Sequence, residues 1–185
     1  MKPPRRAARL IAQISLLVAL AATSAVLMLR THLGDEETIY RQGTINEVVQ
    51  QGPVTIGRVQ WKLESLEVYT QLVDGEKKKI SLDQPEGSVV ILAKVSITPL
   101  DGLKMGADGF SCSSSLRDDR GNLWGQQSVS GLALPTNCGD DDHPFSRNKA
   151  GLLAQVYVVP QSAVPHLTGL QIESLSEYRR VLLAR

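Results

Sequence analysis

The sequence predicts an all-β domain, two antiparallel sheets packed as a sandwich, preceded by one N-terminal transmembrane helix. Three observations predict it. Residues 10–29 carry no charge, the chain beyond residue 53 breaks into short runs of Val, Ile, Leu and Thr between Gly, Pro and Asp clusters, and no amphipathic helical period of ten or more residues follows residue 51. Of 185 residues, roughly 150 remain once the apolar segment is set aside, the usual size of one domain with one core.

The stretch LIAQISLLVALAATSAVLML at 10–29 is interrupted only by Gln13, Ser15, Thr23 and Ser24. Twenty helical residues at about 1.5 Å each match a hydrocarbon core about 30 Å thick. Lys2, Arg5, Arg6 and Arg9 precede it, whereas Asp35, Glu36 and Glu37 follow Arg30, so the positive-inside rule puts residues 1–9, a basic tail, in the cytoplasm and the remainder outside. A cleaved signal peptide is the competing reading, with Ala22-Thr23-Ser24-Ala25 as the small-residue site. Because the apolar run continues through Val26-Leu27-Met28-Leu29, a retained signal-anchor is expected. Both readings export the domain, and the retained anchor makes a single-pass membrane protein with an extracytoplasmic C-terminal domain and the bilayer as a partner.

Residues 30–52 are polar and read as a stalk, with a short helical stretch near 45–49. The domain is expected over 53–185. In VQWKLE at 59–64 apolar and polar residues alternate, and the phase slips at Ser65 so that Leu66 and Val68 resume one place late, the mark of a bulge. SVVILAKVSIT at 88–98 places Val89, Ile91, Ala93, Val95 and Ile97 on one face and reads as a central strand. Further strands are expected at 110–116, 122–129, 151–159, 167–175 and 178–183. Lys77-Lys78-Lys79 after Gly75-Glu76 reads as a solvated hairpin tip.

Charge excludes one class of partner. All 19 acidic residues follow Arg30 while five of the 20 basic ones do not, so the body carries 15 minus 19, or −4. That balance does not suit nucleic acid, which needs clustered Lys and Arg. Cys112 and Cys138 both follow the apolar segment, and a disulfide is expected of two cysteines in an oxidising compartment.

Catalytic patterns are sparse. Ser111, Ser113, Ser114 and Ser115 fit no GxSxG elbow and read as solvent-facing or core-edge residues. His32, His143 and His166 stand at no ligand spacing. Asp140-Asp141-Asp142-His143 offers hard oxygens but lacks the alternating acids of an EF-hand, so it is a possible ligand loop at most, and no cofactor or metal is expected. A membrane-anchored β-domain with Cys138 after Leu134-Pro135-Thr136-Asn137 superficially resembles a sortase, whose cysteine needs a histidine and an arginine, and although Arg147 follows Cys138 its flanking strand does not match the sortase pattern. The only histidine ahead of Cys138 is His32, in the stalk, so the base that would generate a thiolate is missing.

The order of elements carries a family resemblance: Trp61 on an early strand, the Pro85-Glu86-Gly87 turn leading into 89–98, the stretch LRDDRGNLW at 116–124, and Val156-Tyr157-Val158-Val159-Pro160 before the last strands. With these features the domain resembles the telokin-like, immunoglobulin-like extracytoplasmic domains of Gram-positive bacteria. The resemblance implies an immunoglobulin-like sandwich with a binding, structural or assembly role at the cell envelope, and the family has no agreed catalytic residues to carry over to this chain. The expected function is therefore a membrane-anchored, non-enzymatic binding module whose partner is another envelope protein. An accessory subunit of a secretion or transport complex is one alternative, and an ion- or ligand-binding receptor using the 131–149 loop is the other.

Overall fold

The computed structural model describes residues 5–33, 40–100, 112–138 and 145–185. Two compact units divide the chain, one up to Gly43 and one from Thr44 to Arg185.

In the first unit, α1 runs over Arg5–Leu33, and its 29 residues correspond to about 43 Å at the helical rise. Large apolar side chains along it, including Leu16, Leu17, Leu20, Leu27 and Met28, are exposed. Thr23 returns its hydroxyl to the Ala19 carbonyl (2.7 Å), so a polar group within the apolar run is satisfied by the helix itself. Among the described residues no helix is long and apolar enough to cross a membrane. The side chains described along α1 are those of residues 13–29, and Leu10, Ile11 and Ala12 of the twenty-residue apolar run lie outside them.

The second unit is a β-sandwich. Its strands are β1 (Glu47–Val49), β2 (Val54–Ile56), β3 (Val59–Tyr69), β4 (Ser88–Pro99), β5 (Ser115–Asp118), β6 (Leu123–Gly125), β7 (Gly151–Pro160), β8 (Leu167–Ser174) and β9 (Arg179–Ala184), with a 3-10 turn over Gln161–His166. One sheet has the order β1-β9-β8-β5-β6 and the other β2-β3-β4-β7. All neighbours pair antiparallel except β1 with β9, which are parallel.

β4 lies between β3 and β7, as its apolar run requires. Val89, Ile91, Ala93, Val95 and Ile97 face the other sheet and meet Trp61, Leu153, Tyr157, Leu116, Leu170 and Val181 in the main core. The opposite face of β4 is covered as well. Val90 and Leu92 join Ala154 and Val156 in a second small core under Leu72 and Ile80, which is why both phases of this strand are apolar. The β3–β4 register shifts between Leu63 and Ser65, where the sequence phase slips. Leu72 and Ile80 come from the long β3–β4 connection, whose tip is a turn in which the Asp74 carboxylate accepts the Glu76 and Lys78 amides, both at 2.9 Å. Lys77-Lys78-Lys79 is thus a turn held by its own aspartate.

The structure differs from the sequence reading in several places. Of the strands expected at 110–116 and 122–129, the first begins only at Ser115 and runs on to Asp118, and the second covers only Leu123–Gly125. Residues 44–52, assigned to the stalk, belong to the domain, and 47–49 form a strand rather than a helical turn. Pairing with β9 supplies the ladder that so short a stretch cannot supply for itself. Of the two readings for the serines, solvent-facing or core-edge, Ser114 takes the inner one: it is buried, as a member of the polar centre described next.

Candidate functional site

Of the site residues singled out by the sequence, the described pair Cys112 and Cys138 comes together just ahead of β5. Cys112 is buried in the main core and Cys138 packs against it. Their Cα atoms are 5.5 Å apart, a disulfide distance. The stretch leading to Cys138 is fastened along β7: the Gln127 amide donates to the Val156 carbonyl (2.7 Å) and the Ala154 amide to the Pro135 carbonyl (2.9 Å). Gln126 and Thr136 tie the same stretch to itself through backbone carbonyls.

Asp140, Asp141, Asp142 and His143 lie outside the described residues, as does Ser111. Their flanks are placed, since Cys138 and Phe145 both pack on the core. Past Phe145, the Asn148 amide donates to the Pro99 carbonyl (2.6 Å), fixing the return into β7. Gly151 starts that strand beneath the Phe145 ring, and a side chain there would collide with it. A shallow cavity of about 270 Å³ opens here, lined by Pro135, Phe145, Lys149 and Leu152 among others. That is just under the usual range for small-molecule pockets, and Lys149 is its one charged lining group among the described residues.

Beneath Cys112 lies a buried polar centre that the sequence reading missed. Gln155, fully buried on β7, donates its amide to the Cys112 carbonyl (2.5 Å) and accepts the Ser114 hydroxyl (2.6 Å). Ser114 also meets the Tyr157 hydroxyl at 2.6 Å, and Tyr157 reaches Gln155 at 3.1 Å. Burial pushes the Tyr157 phenol well above its ordinary range, and the opposing hydrogen bond with Ser114 is the smaller effect. The phenol therefore stays protonated. Ser114 meets an amide and a phenol, neither of them a base that would activate it. One signal was available in the sequence: Gln155 is the polar residue in the otherwise apolar phase Leu153, Tyr157 and Val159.

Other polar clusters close on themselves. Glu67 on β3 accepts Lys94 (2.7 Å), Tyr69 and Ser65 (2.8 Å). These hydrogen bonds, Lys94 first, hold its carboxyl down to about 2. Asp118 is buried, which opposes its ionisation, yet hydrogen bonds from the Asn122 side chain and from the Asn122 and Arg120 amides outweigh burial and keep it below the usual carboxylate range. His166 bridges Asp119 (3.1 Å) and Arg120 (2.9 Å) across the β5–β6 turn, at the opposite end of β5 from Cys112. Among the described residues no group of three or more His, Cys, Asp or Glu side chains is placed to hold a metal ion.

No family model matches the chain, and no curated protein matches it. Two solved structures are similar to it. An uncharacterized β-sandwich protein from Clostridium difficile 630 superposes with a TM-score of 0.50 at 9% identity, over 76% of this chain and 94% of that one. A conserved hypothetical protein from Bacillus anthracis gives a TM-score of 0.48 at 10% identity, over 70% of this chain and 91% of that one. At such identity the first likeness bears on fold alone, and the fold it shares with this chain is a β-sandwich.

Proposed function

We propose that the chain is a non-enzymatic binding module of the cell envelope, held to the cytoplasmic membrane by α1 with its sandwich on the outer side. One observation carries the reading. The large apolar side chains from Ile14 to Leu29 along α1 are 53–75% exposed, a density that water does not tolerate without a covering apolar phase. A bilayer is that phase for a twenty-residue uncharged run behind four basic residues. A cysteine pair at disulfide distance suits an oxidising, extracytoplasmic setting. Within this reading the domain is immunoglobulin-like and of the telokin-like type, supported by the order β9-β8-β5-β6 facing β3-β4-β7, which parallels G-F-C-C′ facing A-B-E.

The partner is another envelope protein, met by end loops rather than by strand edges. Beyond Trp61, β3 has no outer neighbour among the described residues, but this edge carries a bulge and the charged residues Lys62, Glu64 and Glu67, which disfavour strand addition. The β7 edge is occupied by the Gln127 and Pro135 contacts. Loop 131–149 with its adjoining cavity remains. The same cavity favours a second reading, in which that loop receives a small ligand or ion. An accessory role in a secretion or transport complex is a narrower form of the first reading.

The membrane assignment is tested by alkaline carbonate extraction of membranes, with protease added to intact spheroplasts. Retention in the pellet and loss of a C-terminal tag are expected, and release by carbonate or a protected C-terminal tag would reject it. A photo-crosslinker at Leu152 should capture a protein and one at Glu64 should not. Capture at Glu64 alone would move the interface to the β3 edge, whereas capture at neither would favour the small-ligand reading.

A further inference from the structure

We infer that β1 is a latched strap that opens from the sandwich as a unit of its own, governed by Arg180. This rests on the sandwich alone and is independent of the membrane assignment.

β1 is three residues long, and β9 is its one strand partner among the described residues. It brings little apolar surface to the fold. Glu47 and Val48 are exposed, and Val49 is only partly buried against the main core. The next ladder is different in kind, because β8 and β9 share six residue pairs and bury Leu170, Ile172, Val181 and Leu183 almost completely. Removing β9 breaks the core, whereas removing β1 does not.

Polar contacts fasten the strap. The Asn46 amide donates to the Arg180 carbonyl (2.9 Å), and the Arg180 amide returns to the Asn46 side-chain oxygen (2.7 Å). The Arg180 guanidinium reaches the Thr44 carbonyl (3.4 Å) and is braced by Glu173 (2.9 Å). Its neighbour Arg179 points to the other face of β9, as consecutive strand residues do, and grips Glu47 (2.7 Å) and the Thr55 carbonyl (3.0 Å). The chain is thus held from both faces by adjacent arginines. Of the two, Arg180 is the more enclosed, with a side chain 10% exposed against 35% for Arg179, so its contacts are the less screened by solvent.

Segments with few buried apolar contacts open locally at free energies below that of global unfolding. When this one opens, the backbone groups of β9 over Val181–Leu183 that now pair with β1 become a free sheet edge, the template on which another strand can add. Arg180 holds that edge closed.

Amide hydrogen exchange on the full chain in mild detergent tests the inference. Amides of residues 46–49 should exchange at least about 100-fold faster than those of 181–183 that pair with β8, with exchange in β4 and β7 slowest. Arg180→Ala, which removes the guanidinium bond to Thr44 and keeps the backbone bonds to Asn46, should speed exchange at 46–49 by about 10-fold and leave β4 and β7 unchanged. Asn46→Ala, which removes the side-chain acceptor without touching the guanidinium, should act in the same direction and serves as the variant of choice if Arg180→Ala does not fold. Exchange at 46–49 in step with 181–183, or an effect of Asn46→Ala spread equally over β4 and β7, would overturn it.

Discussion

Replacing Gln155 with alanine removes the central member of the buried polar trio, and the cost can be worked from its bonds. The Cys112 carbonyl loses its 2.5 Å donor inside the core, which costs about 1–3 kcal/mol. Ser114 and Tyr157 keep their 2.6 Å bond to each other but lose the shared acceptor, roughly 1 kcal/mol more. The void adds about 1 kcal/mol, taking roughly 50 Å³ at about 24 cal/mol per Å³. The expected loss is about 3–5 kcal/mol. Tyr157→Phe should cost only about 1 kcal/mol, since the Ser114–Gln155 bond survives it. Urea unfolding of the full chain in mild detergent, followed by the fluorescence of Trp61 and Trp124, gives both values from the midpoint and slope. A loss below 1 kcal/mol for Gln155→Ala, or equal losses for the two variants, would refute the assignment of Gln155 as the hub.

Three other outcomes are expected. Alkylation before and after reduction, read by mass, should show Cys112 and Cys138 joined, and reduction should cost about 3–4 kcal/mol for a closed loop of 26 residues; two freely alkylated thiols would reject the bond. Trp61→Ala should cost about 3–5 kcal/mol because the ring is almost wholly enclosed between the sheets, and a loss under 1 kcal/mol would show that the strand phase is wrong. Glu67 titrates near 2 when folded against 4.5 for the free group, so its contribution to stability is present above about pH 4.5 and is lost as pH falls toward 2. Glu67→Gln should therefore flatten the stability profile in that window relative to the parent, and an unchanged slope between pH 4.5 and 2 would rule the contribution out.

Strands were legible where one face is buried and the pattern is strong. The bulge at Ser65 announces itself as a slipped phase, and β4 announces its central position by being apolar on both faces. The polar centre was not legible in the same way. Gln155 is a visible exception to an apolar phase, but its partners Cys112 and Ser114 lie more than forty positions away, and only sheet packing brings them together. The acidic residues Asp140, Asp141 and Asp142 attracted notice for their charge, which says nothing about what faces them.

What the sequence determines by itself is local and one-dimensional: the uncharged run of twenty residues, the two-residue period of the strands, the turn residues at Asp74, the Pro85-Glu86-Gly87 turn and Gly121, and the number of cysteines. Each depends on sterics or on water acting over a few neighbouring residues. Tertiary structure decides which distant segments share an edge. It places the short 44–49 segment beside β9, buries Ser114 and brings the Cα of Cys112 to 5.5 Å from that of Cys138. A stretch this short, read alone, cannot reveal a strand whose hydrogen bonds are supplied by a strand more than 130 residues away, because the free energy that orders it belongs to the pair and not to the segment.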